Sequence, residues 1–131
     1  MSIKILGVDD SPTIRRLLKI STKQYVEDVE FLEAENGQIA LDILEHHPDV
    51  KLIFLDVNMP IIGGKEFLEN LRFQDRFSNI KVIVQTTQTD KAMAKSLVEL
   101  GISGYIVKPY TIETLQKLLT KLSEQLDIKL K

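Results

Sequence analysis

The sequence contains no cysteine, which excludes disulfide bonds and metal sites built from thiolates. Long hydrophobic runs are also absent. The longest unbroken aliphatic and aromatic stretch is residues 52–55, far short of the roughly 20 residues that a membrane-spanning helix needs. The amino-terminal residues reach an acidic pair, Asp9-Asp10, too early for a secretion signal. These absences lead us to expect a cytoplasmic protein.

Neither sign of charge dominates the chain. Its 17 basic and 19 acidic side chains give a formal net charge of −2. This balance offers no electrostatic reason to expect nucleic acid or an anionic membrane as the main partner. The chain has 131 residues, of which 44% are hydrophobic and 27% are charged, so it fits one domain with an ordinary buried core.

Short hydrophobic runs alternate five times with segments of helical periodicity. The runs predict strands at residues 3–8, 31–34, 52–55, 82–84 and 104–107. Ser11 and Thr111 are predicted to cap the first and last helices, and the fourth helix is expected to begin near Asp90. The pair Asn36-Gly37 is predicted as a turn. Strands that are apolar throughout favour a sheet covered on both faces, and the alternation favours parallel order, so we predict an open doubly wound α/β domain.

Polar side chains follow four of the predicted strands. Asp9 and Asp10 follow the first strand, Asp56 the third, Thr86 the fourth and Lys108 the fifth. Ligands of open α/β sheets bind outside the carboxyl ends of the strands. Two like charges about 4 Å apart repel by about 4 kcal/mol at an effective dielectric constant near 20, so three carboxylates there require a cation or a large rise in pKa. Magnesium prefers oxygen ligands, and the set of groups indicates phosphoryl chemistry.

Four segments, taken together and in order, resemble the receiver family of response regulators, most closely its stand-alone chemotaxis-type (CheY-like) members. They are residues 8–11, residues 55–60 with Gly64 shortly after, residues 84–87 and residues 101–109. The resemblance covers nearly the whole chain. It implies a flavodoxin-like fold with a five-stranded parallel sheet in the order 2-1-3-4-5, flanked by five helices, and a single receiver domain over residues 1–131 without an output domain.

The resemblance also implies a function. The protein would be a phosphorylation-activated regulator of a two-component system, in chemotaxis or another phosphorelay, and not a conventional enzyme. It would act as a monomer that receives its phosphoryl group from a histidine kinase or a phosphotransfer protein and signals to a protein partner. Asp56 would be the phosphoacceptor. Asp9, Asp10, Asp56 and the backbone carbonyl of Asn58 would hold magnesium, and the side chains of Asn58 and Gln88 would influence the lifetime of the phosphoryl group.

Further residues receive switch and output roles from the same resemblance. Thr86 would be the switch hydroxyl and Tyr105 the switch aromatic residue. Lys108 and the backbone N–H of Thr87 would contact the phosphoryl oxygens, and the Lys108-Pro109 peptide bond would be cis. The output face, formed by the fourth helix, the fifth strand and the fifth helix, would include Lys91, Lys95 and Tyr105.

Two other functions fit parts of the pattern. A phosphatase with an aspartyl nucleophile typically carries a second aspartate two residues later, where this chain has Asn58. A flavodoxin-like cofactor binder would cradle a phosphate in its first strand-to-helix loop, where Asp9 and Asp10 would repel it. A receiver that has lost its chemistry and serves only as an interaction module is a third possibility. The complete set of Asp9, Asp10, Asp56, Thr86 and Lys108 argues against it.

Overall fold

The computed structural model describes residues 2–87 and 91–131 of the chain. Strands and helices alternate, with one short 3₁₀ turn at Asp75–Phe77. The strands are β1 (Ile3–Val8), β2 (Val29–Ala34), β3 (Leu52–Asp56), β4 (Lys81–Thr86) and β5 (Gly104–Val107). The helices are α1 (Pro12–Tyr25), α2 (Gly37–His46), α3 (Gly64–Phe73), α4 (Lys91–Glu99) and α5 (Ile112–Leu126). In the described part of the chain, no helix is both long enough and apolar enough to cross a membrane.

The five strands form one parallel sheet in the order β2-β1-β3-β4-β5. The predicted doubly wound α/β fold and its strand order are therefore confirmed. The register sets the carboxyl ends side by side, because Val8 of β1 pairs with Leu55 of β3, and Asp56 pairs with Gln85 of β4. The polar residues that end these strands consequently lie at one edge of the sheet.

Both faces of the sheet are covered, and β3 is buried at every position. Alternate residues of β3 belong to opposite sides: Ile53 packs in the cluster formed with α2, α3 and α4, whereas Phe54 packs with α1 and α5. Full burial of one such side chain contributes about 1.5–3 kcal/mol. The continuous apolar run of β3 thus follows from its place at the centre of a sheet with helices on both sides.

Helix caps explain where several elements begin. The side-chain oxygens of Ser11 and Thr111 accept hydrogen bonds from the backbone N–H groups of Ile14 and Thr114, which confirms both predicted caps. The prediction of a turn at Asn36-Gly37 was wrong. Asn36 Oδ1 accepts a hydrogen bond from Ile39 N at 2.9 Å, so Asn36 caps α2 and Gly37 is its first residue. Asparagine favours turns and helix caps for the same reason, its short side-chain acceptor, so local sequence did not separate the two.

Three strands are longer than predicted. β2 begins at Val29, β3 includes Asp56, and β4 continues through Gln85 to Thr86. The predictions ended these strands at polar residues, but the backbone pairs between neighbouring strands continue past them. The predicted start of the fourth helix near Asp90 lies outside the described residues.

Candidate functional site

Three carboxylates meet at the carboxyl edge of the sheet. One oxygen each from Asp9, Asp10 and Asp56 lies within 4.8 Å of the other two. Asp9 and Asp56 are buried, with 0% and 5% of their surfaces exposed, whereas Asp10 is open to solvent. Asp56 is held at the end of β3, and Asp9 follows β1, which lies beside it in the sheet. The acids that the sequence places at two separate strand ends are therefore brought together by the strand order.

Lys108 brings a positive charge to two of these acids. Its Nζ lies 2.7 Å from Asp9 Oδ2 and 3.6 Å from Asp56 Oδ2. The Lys108 backbone N–H donates to Thr86 O at 2.7 Å, so the end of β5 is tied to the end of β4. The Lys108-Pro109 bond is cis, as predicted. Lys108 is thus bound by both its backbone and its side chain at the edge of the acidic cluster.

The surroundings of Asp56 make its ionised form unfavourable. Burial, followed by the nearby charge of Asp9, raises the pKa of Asp56 to about 6, although Lys108 and the backbone N–H of Asn58 act in the opposite direction. One ammonium group does not neutralise three carboxylates. A set of closely spaced oxygen donors with excess negative charge is the donor set that a hard divalent cation prefers. The cluster of Asp9, Asp10 and Asp56 could therefore hold a metal ion.

The loop after Asp56 turns sharply because of a glycine. A Cβ atom on Gly64 would lie 2.5 Å from Asp56 O and 2.7 Å from Val57 Cα, so only glycine lets the start of α3 approach the end of β3 this closely. Gly64 N donates to Val57 O at 3.0 Å, and Asn58 N donates to Asp56 Oδ1 at 3.2 Å. The loop therefore keeps Asn58 beside the cluster.

The match with a known family is extensive. The model of the response regulator receiver domain matches residues 5–120. This chain belongs to the response-regulator receiver family. The receiver is 37% identical over 115 residues to the chemotaxis protein CheY homolog of Campylobacter jejuni, which covers 88% of each chain. It is 38% identical over 116 residues to the chemotaxis protein CheY1 of Helicobacter pylori, covering 88% of this chain and 92% of that one.

Solved structures show the same relationship. The chemotaxis protein CheY4 of Vibrio cholerae superimposes with a TM-score of 0.83 at 30% identity, covering 92% of this chain and 98% of that one. The sheet order and the five flanking helices of this receiver are those of a flavodoxin-like receiver fold. The receiver is a chemotaxis-type response regulator, a member of a signalling family.

The residues with predicted switch roles lie around the same edge. Thr86, the last residue of β4, is buried with 1% exposure, and Thr87 follows it at the surface. Tyr105 pairs with Val84 in the sheet and is half-buried against the cluster on the α4 side. Lys95 is exposed on α4. Gln88 and the side chain of Lys91, both named from the sequence, lie outside the described residues.

Sequence reasoning missed three residues near Asp9, of which two contact it directly and the third acts through Gln85. Gln85 Nε2 donates to Asp9 Oδ2 at 3.3 Å, and the Tyr110 hydroxyl donates to Gln85 Oε1 at 2.8 Å. Arg15 Nη1 donates to the Asp9 backbone carbonyl at 2.6 Å. Gln85 left a signal in the sequence, since it is an amide that directly follows the apolar strand predicted at residues 82–84. Tyr110 left none, because its partner Gln85 is 25 positions away, and Arg15 left none, because its partner is a backbone carbonyl that no residue type marks.

Proposed function

We propose that this receiver is a phosphorylation-activated regulator of a two-component system, which accepts a phosphoryl group on Asp56 from a histidine kinase or a phosphotransfer protein. The supporting observation is the position of the Asp56 carboxylate, buried between two further acids with Lys108 Nζ 3.6 Å away. The protein would act in the cytoplasm and signal to a protein partner in chemotaxis or another phosphorelay.

The chemistry follows from the charges in the site. An Asp56 oxygen attacks phosphorus, a new O–P bond forms, and the N–P bond of the phosphohistidine breaks with imidazole as the leaving group. With a pKa of about 6, Asp56 is ionised and nucleophilic at neutral pH. The Lys108 ammonium lies close enough to contact the transferred group. Asp9, Asp10, Asp56 and the Asn58 backbone carbonyl are the residues that would hold magnesium, which supplies neutralisation of charge on the phosphoryl oxygens.

The lifetime of the phosphoryl group depends on the water that hydrolyses it. Asn58 and Gln88 lie two residues beyond Asp56 and Thr86 in the sequence, where they would control the access of that water. Both carry amides, which are not efficient general bases. We therefore propose moderate spontaneous dephosphorylation, in which the receiver assists its own chemistry without turning over substrates as an enzyme does.

The output would begin at Thr86. Phosphorylation adds charge and acceptor oxygens at Asp56, and the Thr86 hydroxyl, at the end of the adjacent strand, would move toward them. The space left beneath α4 would admit Tyr105. A shift from about 1:99 to 99:1 between two conformations requires roughly 5.5 kcal/mol, which a few charge-assisted hydrogen bonds of about 1.5–3 kcal/mol each would supply. The α4–β5–α5 surface, which includes Lys91, Lys95 and Tyr105, would then change shape. Thr87 and Lys108 would contact the phosphoryl oxygens.

The phosphoacceptor is tested by mass spectrometry after incubation with acetyl phosphate and magnesium. We expect one labile phosphoryl group, cleaved by hydroxylamine as an acyl phosphate is, on the wild type and none on Asp56→Asn. The matched control is Asp49→Asn, which removes an exposed aspartate outside the cluster. Undiminished labelling of Asp56→Asn would place the acceptor elsewhere.

The output is tested by comparing amide chemical shifts with and without beryllofluoride, a mimic of aspartyl phosphate. We expect changes at the cluster and also along residues 91–111. Thr86→Ala should keep the changes near Asp56 and lose those on the α4–β5–α5 surface. Wild-type changes confined to the cluster would contradict this output model.

A further inference from the structure

A glutamine side chain is completely buried beside the acidic cluster. Gln85 is 0% exposed and lies in β4, where its backbone pairs with Asp56 of β3 and with Ile106 of β5. A buried amide without hydrogen-bond partners is strongly unfavourable, so both ends of this side chain need partners. In this receiver both ends have one, and the two partners are Asp9, which follows β1, and Tyr110, which follows β5.

The direction of these hydrogen bonds follows from the chemistry of the groups. A carboxylate only accepts, so the amide nitrogen of Gln85 faces Asp9 Oδ2, at 3.3 Å. The amide oxygen must then face Tyr110, whose hydroxyl donates to it at 2.8 Å. Burial, followed by the charge of Asp9, raises the pKa of Tyr110 to about 12, so the hydroxyl stays protonated at physiological pH. Tyr110, Gln85 and Asp9 therefore form one continuous chain of donors and acceptors.

The same carboxylate oxygen is shared with Lys108. Asp9 Oδ2 accepts from Lys108 Nζ at 2.7 Å, and Asp9 Oδ1 accepts from Ser11 N at 2.9 Å. Lys108 is also 3.6 Å from Asp56, where the proposed function places the phosphoryl group, so that group would compete with Asp9 for the ammonium. The uncharged Gln85 has no such competing attraction, and its hydrogen bond to Asp9 would not depend on the position of Lys108.

We propose that Gln85 and Tyr110 are positioning residues, which hold the Asp9 carboxylate in the orientation that binds the divalent cation. Tyr110 lies directly before Thr111, the cap of α5. The hydrogen bonds from Tyr110 through Gln85 therefore also connect Asp9 to the start of that helix. This inference rests on the proposed function, because it takes Asp9 as a magnesium ligand. Hydrogen bonds that orient a ligand commonly change metal affinity by about 10- to 100-fold when removed.

The test is a magnesium titration of the full chain, without phosphodonor, followed by amide chemical shifts. We expect Gln85→Leu to weaken magnesium binding by about 10-fold and Tyr110→Phe by a smaller, severalfold amount. The double variant should bind no more weakly than Gln85→Leu alone, because Tyr110 acts through Gln85. Tyr25→Phe is the matched control, since it also removes one hydroxyl, but one whose partner is Thr120 on the outer surface of α5.

A second readout separates positioning from a general loss of structure. The initial rate of phosphorylation by acetyl phosphate should fall in both variants at limiting magnesium and recover at saturating magnesium. Wild-type affinity in Tyr110→Phe, which keeps the ring and its packing, would overturn the inference even if Gln85→Leu did not fold. Additive losses in the double variant would also overturn it. A wild type that showed no magnesium response at Asp9 and Asp56 would overturn the proposed metal site and this inference together.

Discussion

Two lysine–aspartate pairs at opposite edges of the sheet show how location decides what an ion pair does. At the amino edge, Lys4 Nζ lies 3.1 Å from Asp49 Oδ1, and 65% of the aspartate side chain is exposed. The hydrogen bond from Lys4 lowers the pKa of Asp49. At the carboxyl edge, Lys108 lies 3.6 Å from Asp56, yet burial raises the pKa of Asp56 to about 6. The lysine lowers the pKa of the aspartate in both pairs, but at the carboxyl edge burial and Asp9 outweigh it.

The difference comes from solvent and from competition for the lysine. Water solvates both members of the exposed pair, so Asp49 loses little solvation on folding. The hydrogen bond from Lys4 is therefore enough to lower its pKa. Lys108 faces two buried carboxylates and lies closer to Asp9 than to Asp56. Asp56 is left with too little compensation for the solvation that it loses. The carboxyl edge thus keeps a free-energy penalty that a bound cation would relieve, whereas the exposed Lys4–Asp49 pair carries no such penalty.

The largest expected effect is a gain in stability when the charge of Asp56 is removed. Because the folded-state pKa of about 6 lies above the ordinary aspartate pKa of 3.8, the free energy of unfolding falls as pH rises between these values. A difference of about two pKa units corresponds to about 3 kcal/mol. Without metal, Asp56→Asn should therefore be more stable than the wild type by about 3 kcal/mol at pH 8 and nearly equal to it below pH 3.8, as measured by urea unfolding.

Asp49→Asn is the matched control for this comparison. Its sign should be opposite, because the lowered pKa of Asp49 contributes stability above the unfolded pKa that is lost as pH falls. The effect should stay below about 1 kcal/mol, since water and salt screen an exposed pair. A destabilised Asp56→Asn at pH 8 would contradict the contrast between the two edges.

The amino edge also contains a partly buried cation, Arg72, which interacts with carbonyls instead of carboxylates. Its guanidinium donates to Leu100 O at 2.9 Å, Ile80 O at 3.1 Å and Gly101 O at 3.0 Å. These bonds join the end of α3 to the segments that precede β4 and β5. Since a hydrogen bond to a charged group contributes about 1.5–3 kcal/mol, Arg72→Met should destabilise the fold by about 2 kcal/mol.

The phosphorylation rate of folded Arg72→Met should equal that of the wild type, because Arg72 belongs to the edge away from the chemistry. Arg76→Met serves as control, since Arg76 makes an exposed ion pair with Glu45 and should contribute less than about 1 kcal/mol. A slower phosphorylation at unchanged stability would show that the two edges are coupled.

The smallest expected effect concerns the loop beside Asp56. Ile61 is 77% exposed and has a φ of 69°, a left-handed conformation that is unfavourable for a β-branched residue. Asparagine adopts this conformation more readily, so Ile61→Asn should raise the free energy of unfolding by about 1 kcal/mol. Ile61→Val keeps the branched side chain and should give no gain. Equal stability of all three proteins would show that the carboxyl edge has no backbone strain at this position.

Much of the molecule could be predicted from local sequence. The continuous apolar run of β3 and the alternation of strands and helices predict a sheet covered on both faces, because only such a sheet buries these runs. Ser11 and Thr111 are correctly predicted as caps because a cap acts within three residues of itself. The strand order came from the resemblance of four short segments to receivers, and it placed Asp9, Asp10 and Asp56 at one edge.

Other properties were decided only by the tertiary structure. The pair Asn36-Gly37 suits a turn and a helix start equally well. Asn36 is a cap because the chain enters α2 at this point. The pKa of Asp56 depends on burial and on Asp9, which lies 47 positions away in the sequence. Gln85 and Tyr110 gain their significance from contacts across the sheet. Periodicity and capping act over a few residues, so local sequence is enough to predict them. Charge interactions, desolvation and side-chain networks depend on which distant residues the fold brings within a few ångströms.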